Sequence, residues 1–244
     1  MKSLLSFCVF LNLLPQISFT QNEPYHLNFV ENTLKVTTSE DTIIFKKTFS
    51  HPFIFSSDLD GDNLEEILVI DSLYNIGDTN FILYVFNTLD SMYLADSINS
   101  GSVYPYVAFP GEIEGLIIVS GNPDFSYLSA NRQDLNDGSK MKTLPVNCWK
   151  FEDGEIFLVN RELYEIFVNE NEAILSTIEN FQSDYSDNCA KSKAIKSLIA
   201  SAYINYLNAG ENASAENFLK TFYQCDDFEN FKKELDNLFY KENE

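Results

Sequence analysis

The sequence predicts an α+β protein in which an N-terminal antiparallel β meander is followed by a C-terminal helical hairpin and a third helix. Three observations lead there. Between residue 25 and about residue 178, short runs rich in Ile, Val, Phe, Tyr and Thr alternate with turn residues, the composition of pleated, half-buried strands. From about residue 187 the apolar residues recur instead at helical spacing. With 45% hydrophobic and 14% aromatic residues, the chain also has the material for a packed core.

Residues 1–20 carry one early lysine, Lys2, an apolar run over 4–14, and the small residues Ser18 and Thr20 before Gln21. This is the pattern of a secretory signal peptide cleaved after Thr20. Asn12 and Pro15 interrupt the run before it reaches the about 20 apolar residues of a membrane span. The expected product is therefore secreted or periplasmic, without a transmembrane segment after cleavage. The expected divisions are 1–20 signal peptide, 21–180 β-rich domain and 187–244 helical segment. The formal net charge of −21 becomes −22 once Lys2 is removed. So acidic a chain lacks the basic footprint that phosphate binding requires, which argues against nucleic acid as a partner. Its charge reads as solubility outside the cell.

Within the strand-like region, Leu34-Lys35-Val36-Thr37-Thr38 and Thr42-Ile43-Ile44-Phe45 flank a Ser39-Glu40-Asp41 turn. Residues 81–86 and 92–98 flank Thr88-Leu89-Asp90-Ser91. Trp149-Lys150-Phe151 and residues 155–159 flank Asp153-Gly154, a strong short-range hairpin signal. An internal echo runs through the region. His51-Pro52-Phe53-Ile54-Phe55, an acidic loop and Ile67-Leu68-Val69-Ile70 are matched by Tyr104-Pro105-Tyr106-Val107-Ala108-Phe109, a shorter loop and Leu116-Ile117-Ile118-Val119. At about 40–50 residues per blade this length gives about three blades, against about four to eight in closed propellers. A partial propeller-like meander or a small barrel is expected.

The acidic loop is the most informative stretch: Asp58-Leu59-Asp60-Gly61-Asp62-Asn63-Leu64-Glu65-Glu66. Asp58, Asp60 and Asp62 alternate with other residues, so a tightly curled backbone can turn three carboxylates inward, and Glu66 arrives from the next strand. Calcium takes about 6–8 oxygen ligands at loose geometry, which such a loop with one backbone carbonyl can supply. An EF-hand fits worse, because its loop positions six and twelve would be Asn63 and Val69, between strands and not helices. In the second copy only Glu112 and Glu114 remain, so one metal site is expected in the pair. Asp134-Leu135-Asn136-Asp137-Gly138 lacks a third ligand and a following strand and reads as an ordinary turn.

The loop resembles the calcium loop of FG-GAP repeats, the blades of integrin-α-type propellers, and of the related VCBS repeats. Their pattern is Asp-x-Asp/Asn-x-Asp-Gly-x-x-Asp running into a strand. The resemblance covers about twenty residues and implies Ca2+ held by Asp58, Asp60, Asp62, the Leu64 carbonyl and Glu66. Asn63 stands where glycine is usual, and asparagine visits left-handed backbone more readily than most residues. Glu66 replaces the final aspartate, so its longer side chain must fold back.

The helical segment opens near Asp187, with Ile195, Leu198, Ile199, Ala202, Tyr203, Tyr206 and Leu207 at helical spacing and Asn208-Ala209-Gly210 as the stop. A second helix is expected over about 213–223, with Phe218, Leu219 and Phe222 on one face. A third is expected over about 227–240, opened by Asp226 with Glu229 three residues on, as in a capping box. Signal cleavage leaves Cys148, Cys189 and Cys225. An antiparallel hairpin returns Cys225 toward Cys189, which favours a Cys189–Cys225 disulfide with Cys148 buried beside Trp149; a Cys148 bridge to either partner is the alternative.

Signals of catalysis are poor. The histidines are His26 and His51 alone, and no nucleophile elbow, His-Glu-x-x-His pair or phosphate-binding glycine loop occurs. FG-GAP-like modules are common in adhesion and recognition, so the resemblance implies a secreted, calcium-stabilised binding protein for a protein or carbohydrate partner. The alternative is an extracytoplasmic hydrolase or enzyme inhibitor with a purely structural calcium.

Overall fold

The computed structural model describes residues 25–75, 78–88, 92–111, 113–125, 144–181 and 187–242. The expected signal peptide, Glu112 and the turn over 134–138 lie outside them. The chain is α+β, strands first and helices after, and it divides into two compact units, Met1–Phe49 and Ser50–Glu244.

In the first unit β1 (Tyr25–Val30), β2 (Thr33–Thr38) and β3 (Ile43–Thr48) form one antiparallel sheet in the order β1-β2-β3. Glu31 and Asn32 join β1 to β2 with φ of +49° and +61°, the left-handed pair that a two-residue hairpin needs. Leu34 and Val36, two residues apart and so on one face of β2, are fully buried.

The second unit holds two four-stranded antiparallel sheets, each with its strands in chain order. One is β4 (Pro52–Ser57), β5 (Glu66–Asn75), β6 (Asp78–Asn87) and β7 (Tyr93–Gly101). The other is β8 (Tyr106–Ala108), β9 (Ile117–Gly121), β10 (Val146–Glu152) and β11 (Glu155–Leu158). The meander is thus divided among three sheets, and neither four-stranded sheet closes into a barrel, because its two end strands do not pair. The two echoing stretches occupy equivalent places, β4–loop–β5 and β8–loop–β9, as the opening hairpin of each sheet. Asp153 and Gly154 join β10 to β11 with φ of +52° and +80°, as the hairpin signal predicts.

Strand β9 is buried on both faces and explains the layering. Ile118 joins Leu68, Ile70, Leu83, Val85 and Phe151 in a core between the two sheets. Ile117 and Val119, pointing the other way, pack with Cys148, Leu163, Ile166 and Phe167. Ile166 and Phe167 belong to α1 (Tyr164–Asn180), so a helix lies where the sequence reading placed strands as far as residue 178. The seam of α1 is Phe167, Asn171, Ile174 and Ile178, spaced four, three and four. A polar residue in that seam hides the period: Asn171 is buried and its Nδ2 donates to the Ala202 carbonyl at 3.2 Å.

The expected first C-terminal helix is two, α2 (Asn188–Ala194) and α3 (Lys196–Asn208). Asp187 caps the first, accepting from the Ala190 N–H at 2.7 Å. Ser192 Oγ lies 2.8 Å from the Asn188 carbonyl, a back-bond of the kind that bends helices, and 2.7 Å from the Phe222 carbonyl of α4 (Asn212–Phe222). Helix α5 (Phe228–Glu242) starts one residue later than expected, and the carboxylate of Asp227 accepts from Tyr223 Oη at 3.1 Å. The helices share a core of Leu198, Tyr203, Leu219, Tyr223, Phe231 and Leu235 with the inner end of α1. Lys196 Nζ stands 4.2 Å from the centroid of the Phe231 ring, a cation–π contact.

A Cys189–Cys225 disulfide ties α2 to the connection between α4 and α5, with Cα atoms 4.7 Å apart, and Cys148 is a buried thiol outside the bridge. Closing a loop of 36 residues in sequence stabilises the folded chain by roughly 3–4 kcal/mol in the chain-entropy account. No helix among the described residues is long and apolar enough to cross a membrane.

Helix α3 is joined to the third sheet through the backbone of one residue, Val146. Asn205 Oδ1 accepts from the Val146 N–H at 3.1 Å, and Asn208 Nδ2 donates to the Val146 carbonyl at 3.2 Å. Both asparagines are buried, so they occupy positions that helical periodicity reserves for apolar residues. Asn205→Ala orphans a buried backbone N–H and should cost roughly 1–3 kcal/mol in urea denaturation. An unchanged midpoint would show that water replaces the amide there.

Candidate metal centre

Strands β4 and β5 pair from Pro52↔Asp71 to Ser57↔Glu66, which leaves residues 58–65 as the connecting loop. Gly61 and Asn63 take φ of +83° and +69°, so the asparagine does adopt the left-handed conformation its position demands. Each aspartate ties the backbone that follows it. Asp58 accepts from Gly61 N–H at 2.7 Å and from Asn63 N–H at 3.0 Å through its two oxygens. Asp60 accepts from Asp62 N–H at 3.3 Å, and Asp62 from Leu64 N–H at 2.7 Å. These local bonds are why alternating aspartates curl a chain.

Leu59 fixes the loop to the protein. Its side chain is 1% exposed and sits in the core between the sheets, a burial worth roughly 1.5–3 kcal/mol. Its N–H donates to Glu66 Oε2 at 2.9 Å, and its carbonyl accepts from Leu116 N–H at 2.9 Å. Gly115, at φ +89°, lies so close that an added Cβ would stand 2.7 Å from that carbonyl oxygen. The second echo therefore supplies the wall against which the acidic loop rests. That role was invisible in the sequence, where the second loop reads only as one that has lost its acids.

With Leu59 turned inward, carboxylate oxygens of Asp58, Asp60 and Glu66 lie within 4.8 Å of one another. This is the only such trio among the described residues. Asp62 is not part of it; its carboxylate stays on the Leu64 N–H. Glu66 does fold back, as its length requires, and is 2% exposed. Burial pushes its carboxyl up to about 7, with the negative charges of Asp60 and Asp62 adding to the effect and the Leu59 N–H opposing it. Asp60 is also pushed up, first by burial and then by Asp62 and Asp58. All the side-chain donors are hard oxygens, the set that suits Ca2+ or Mg2+ and not a soft metal.

His51 belongs to a different arrangement. The backbone N–H groups of Ser50 and His51 both donate to Asp71 Oδ1 at 2.8 Å, and the His51 ring meets Tyr74 edge-on at 4.7 Å. It enters strand β4 and stands apart from the acidic trio. Comparison with known proteins finds no matching family model, curated protein or solved structure.

The raised Glu66 value fixes a sign. Between about 4.5 and about 7 the ion-free folded state binds more protons than the unfolded chain, so its stability falls as pH rises through that window. Urea denaturation in chelator should show wild type losing roughly 1–3 kcal/mol relative to Glu66→Gln across it. Parallel pH profiles of the two proteins would contradict the buried-carboxylate assignment.

Proposed function

We propose that this is an extracytoplasmic binding protein whose acidic loop holds one structural calcium ion. The observation that carries the reading is the convergence of Asp58, Asp60 and Glu66 with Glu66 almost wholly buried. A carboxylate withdrawn from water beside two others is unfavourable unless it takes a proton or a cation joins it, and at neutral pH a divalent ion offsets that repulsion. The donor set fits calcium: three carboxylates here, with the Leu64 carbonyl, Asp62 and water able to complete an oxygen shell. When bound, the ion would join the end of β4, the loop and the first residue of β5. The leader-like residues 1–20 and the Cys189–Cys225 bridge both favour an oxidising compartment outside the cytoplasm.

The enzymatic alternative has less support. Glu66, whose carboxyl burial pushes up to about 7, is sealed from solvent and occupied by the Leu59 N–H, so it is poorly placed as a general acid. With the ion structural, function falls to a recognition surface elsewhere on the molecule.

Asp60→Asn separates the ion from the fold, because Asp60 makes only a long 3.3 Å bond within the loop. Calcium should raise the melting temperature of wild type and leave the variant near its value in chelator. In chelator the variant should melt at or above wild type, since a repelling charge has gone. Equal melting of both proteins with and without calcium would reduce the loop to a solvated turn.

A further inference from the structure

A groove of about 340 Å3 runs between the edge strand β7 and strands β10 and β11, well apart in sequence from the acidic loop. Its size is at the small end of the about 300–1,000 Å3 typical of small-ligand sites. Trp149, the protein's one tryptophan, forms an apolar side together with Pro123 and Leu158. The indole is half-buried, and its Nε1–H donates to Ser120 Oγ at 2.9 Å, which fixes the ring. Leu158 is 41% exposed, so the apolar side reaches solvent.

Polar groups of both kinds line the rest. Asn99 and Asn147 each commit the amide oxygen, to Gly101 N–H at 3.0 Å and to Asn160 Nδ2 at 3.1 Å, which leaves their NH2 ends as donors. Asp96 and Asp124 are exposed carboxylates and supply acceptors; Asp96 spends one oxygen on the Ser97 N–H. Among the described residues no lysine or arginine lines the groove, so an anion finds no counter-charge there. Amide donors beside the carboxylates disfavour a simple cation, which wants acceptors alone. An added peptide strand is disfavoured as well. The Ser97 and Gly101 N–H groups of β7 are already taken by side chains, and the strand is irregular in register at both ends.

A fixed indole beside both donors and acceptors suits a sugar ring, whose C–H face is apolar and whose hydroxyls both donate and accept. We propose that this groove binds a neutral saccharide, the ring lying on Trp149 and its hydroxyls meeting Asn99, Asn147, Asp96 and Asp124. The proposal names the ligand class of the binding reading and rests on it, while the calcium loop is tested separately by melting temperature.

Trp149 is its own reporter. The wild-type protein is titrated with neutral pentasaccharides of glucose (β-1,4, β-1,3 and α-1,4), xylose, mannose and N-acetylglucosamine, following tryptophan emission and calorimetric heat, in calcium and in chelator. At least one should give a saturable change that Asp124→Ala and Asn99→Ala each weaken by about tenfold. Among the described residues the Asp124 side chain makes no hydrogen bond, and only its backbone N–H is tied, to Asn122 Oδ1, so its variant should melt like wild type. Absence of emission change and heat with every sugar would overturn the proposal, as would sugar binding untouched by both substitutions. Saturation by tetramethylammonium with no response to sugars would assign the groove to organic cations instead. Failure here with calcium still raising the melting temperature removes the saccharide alone; sugar binding without any calcium effect removes only the ion.

Discussion

Leu59 is the residue on which the acidic loop depends. Its side chain is committed to the core between the sheets, its N–H to Glu66 and its carbonyl to Leu116. Three independent attachments at one residue leave its neighbours little freedom. Asp58 and Asp60, one on each side, must turn away from the core, and Glu66 is drawn in behind them. The loop thus holds its carboxylates together against their mutual repulsion by means of hydrophobic burial and backbone bonds. Gly115 completes the arrangement, since any side chain there would strike the Leu59 carbonyl.

The same economy of attachment recurs at the junction of sheet and helices. Helix α1 carries Ile166 and Phe167 against the third sheet and Ile174 and Ile178 against the helical core, so one helix belongs to both. Helix α3 is oriented by Asn205 and Asn208 on the N–H and carbonyl of a single residue of β10. Packing alone would allow α3 to slide along its neighbours. Two directional bonds to Val146 set its register, and the disulfide closes the far end.

Much of this architecture is legible in the sequence. The hairpins at Ser39-Glu40-Asp41 and Asp153-Gly154, the α+β order, the Cys189–Cys225 pairing and the left-handed Asn63 all follow from local chemistry that tertiary contacts do not override. What the sequence hides is polar residues in apolar places. Asn171 breaks the visible period of α1, so the chain reads as strand through residue 178, and a break at Ile195 divides what reads as one long helix. In the loop, Asp58, Asp60 and Glu66 come together as the spacing suggests, whereas Asp62 is occupied by the backbone two residues on. The anchoring by Gly115 and Leu116, and the groove beside Trp149, depend on strands that meet only in three dimensions.

On the proposed reading, the ion in the loop and the groove between β7 and β10 divide the work: one stabilises a connection between strands, the other offers a surface for recognition. The loop is the more decisive of the two, because a buried carboxylate among carboxylates calls for a physical reason. Calorimetric titration of the full chain with calcium at neutral pH, beside Glu66→Gln, asks for that reason directly. The account predicts one ion per wild-type chain and loss of tight binding in the variant. Absence of heat in wild type, or equal binding by the two proteins, would contradict it.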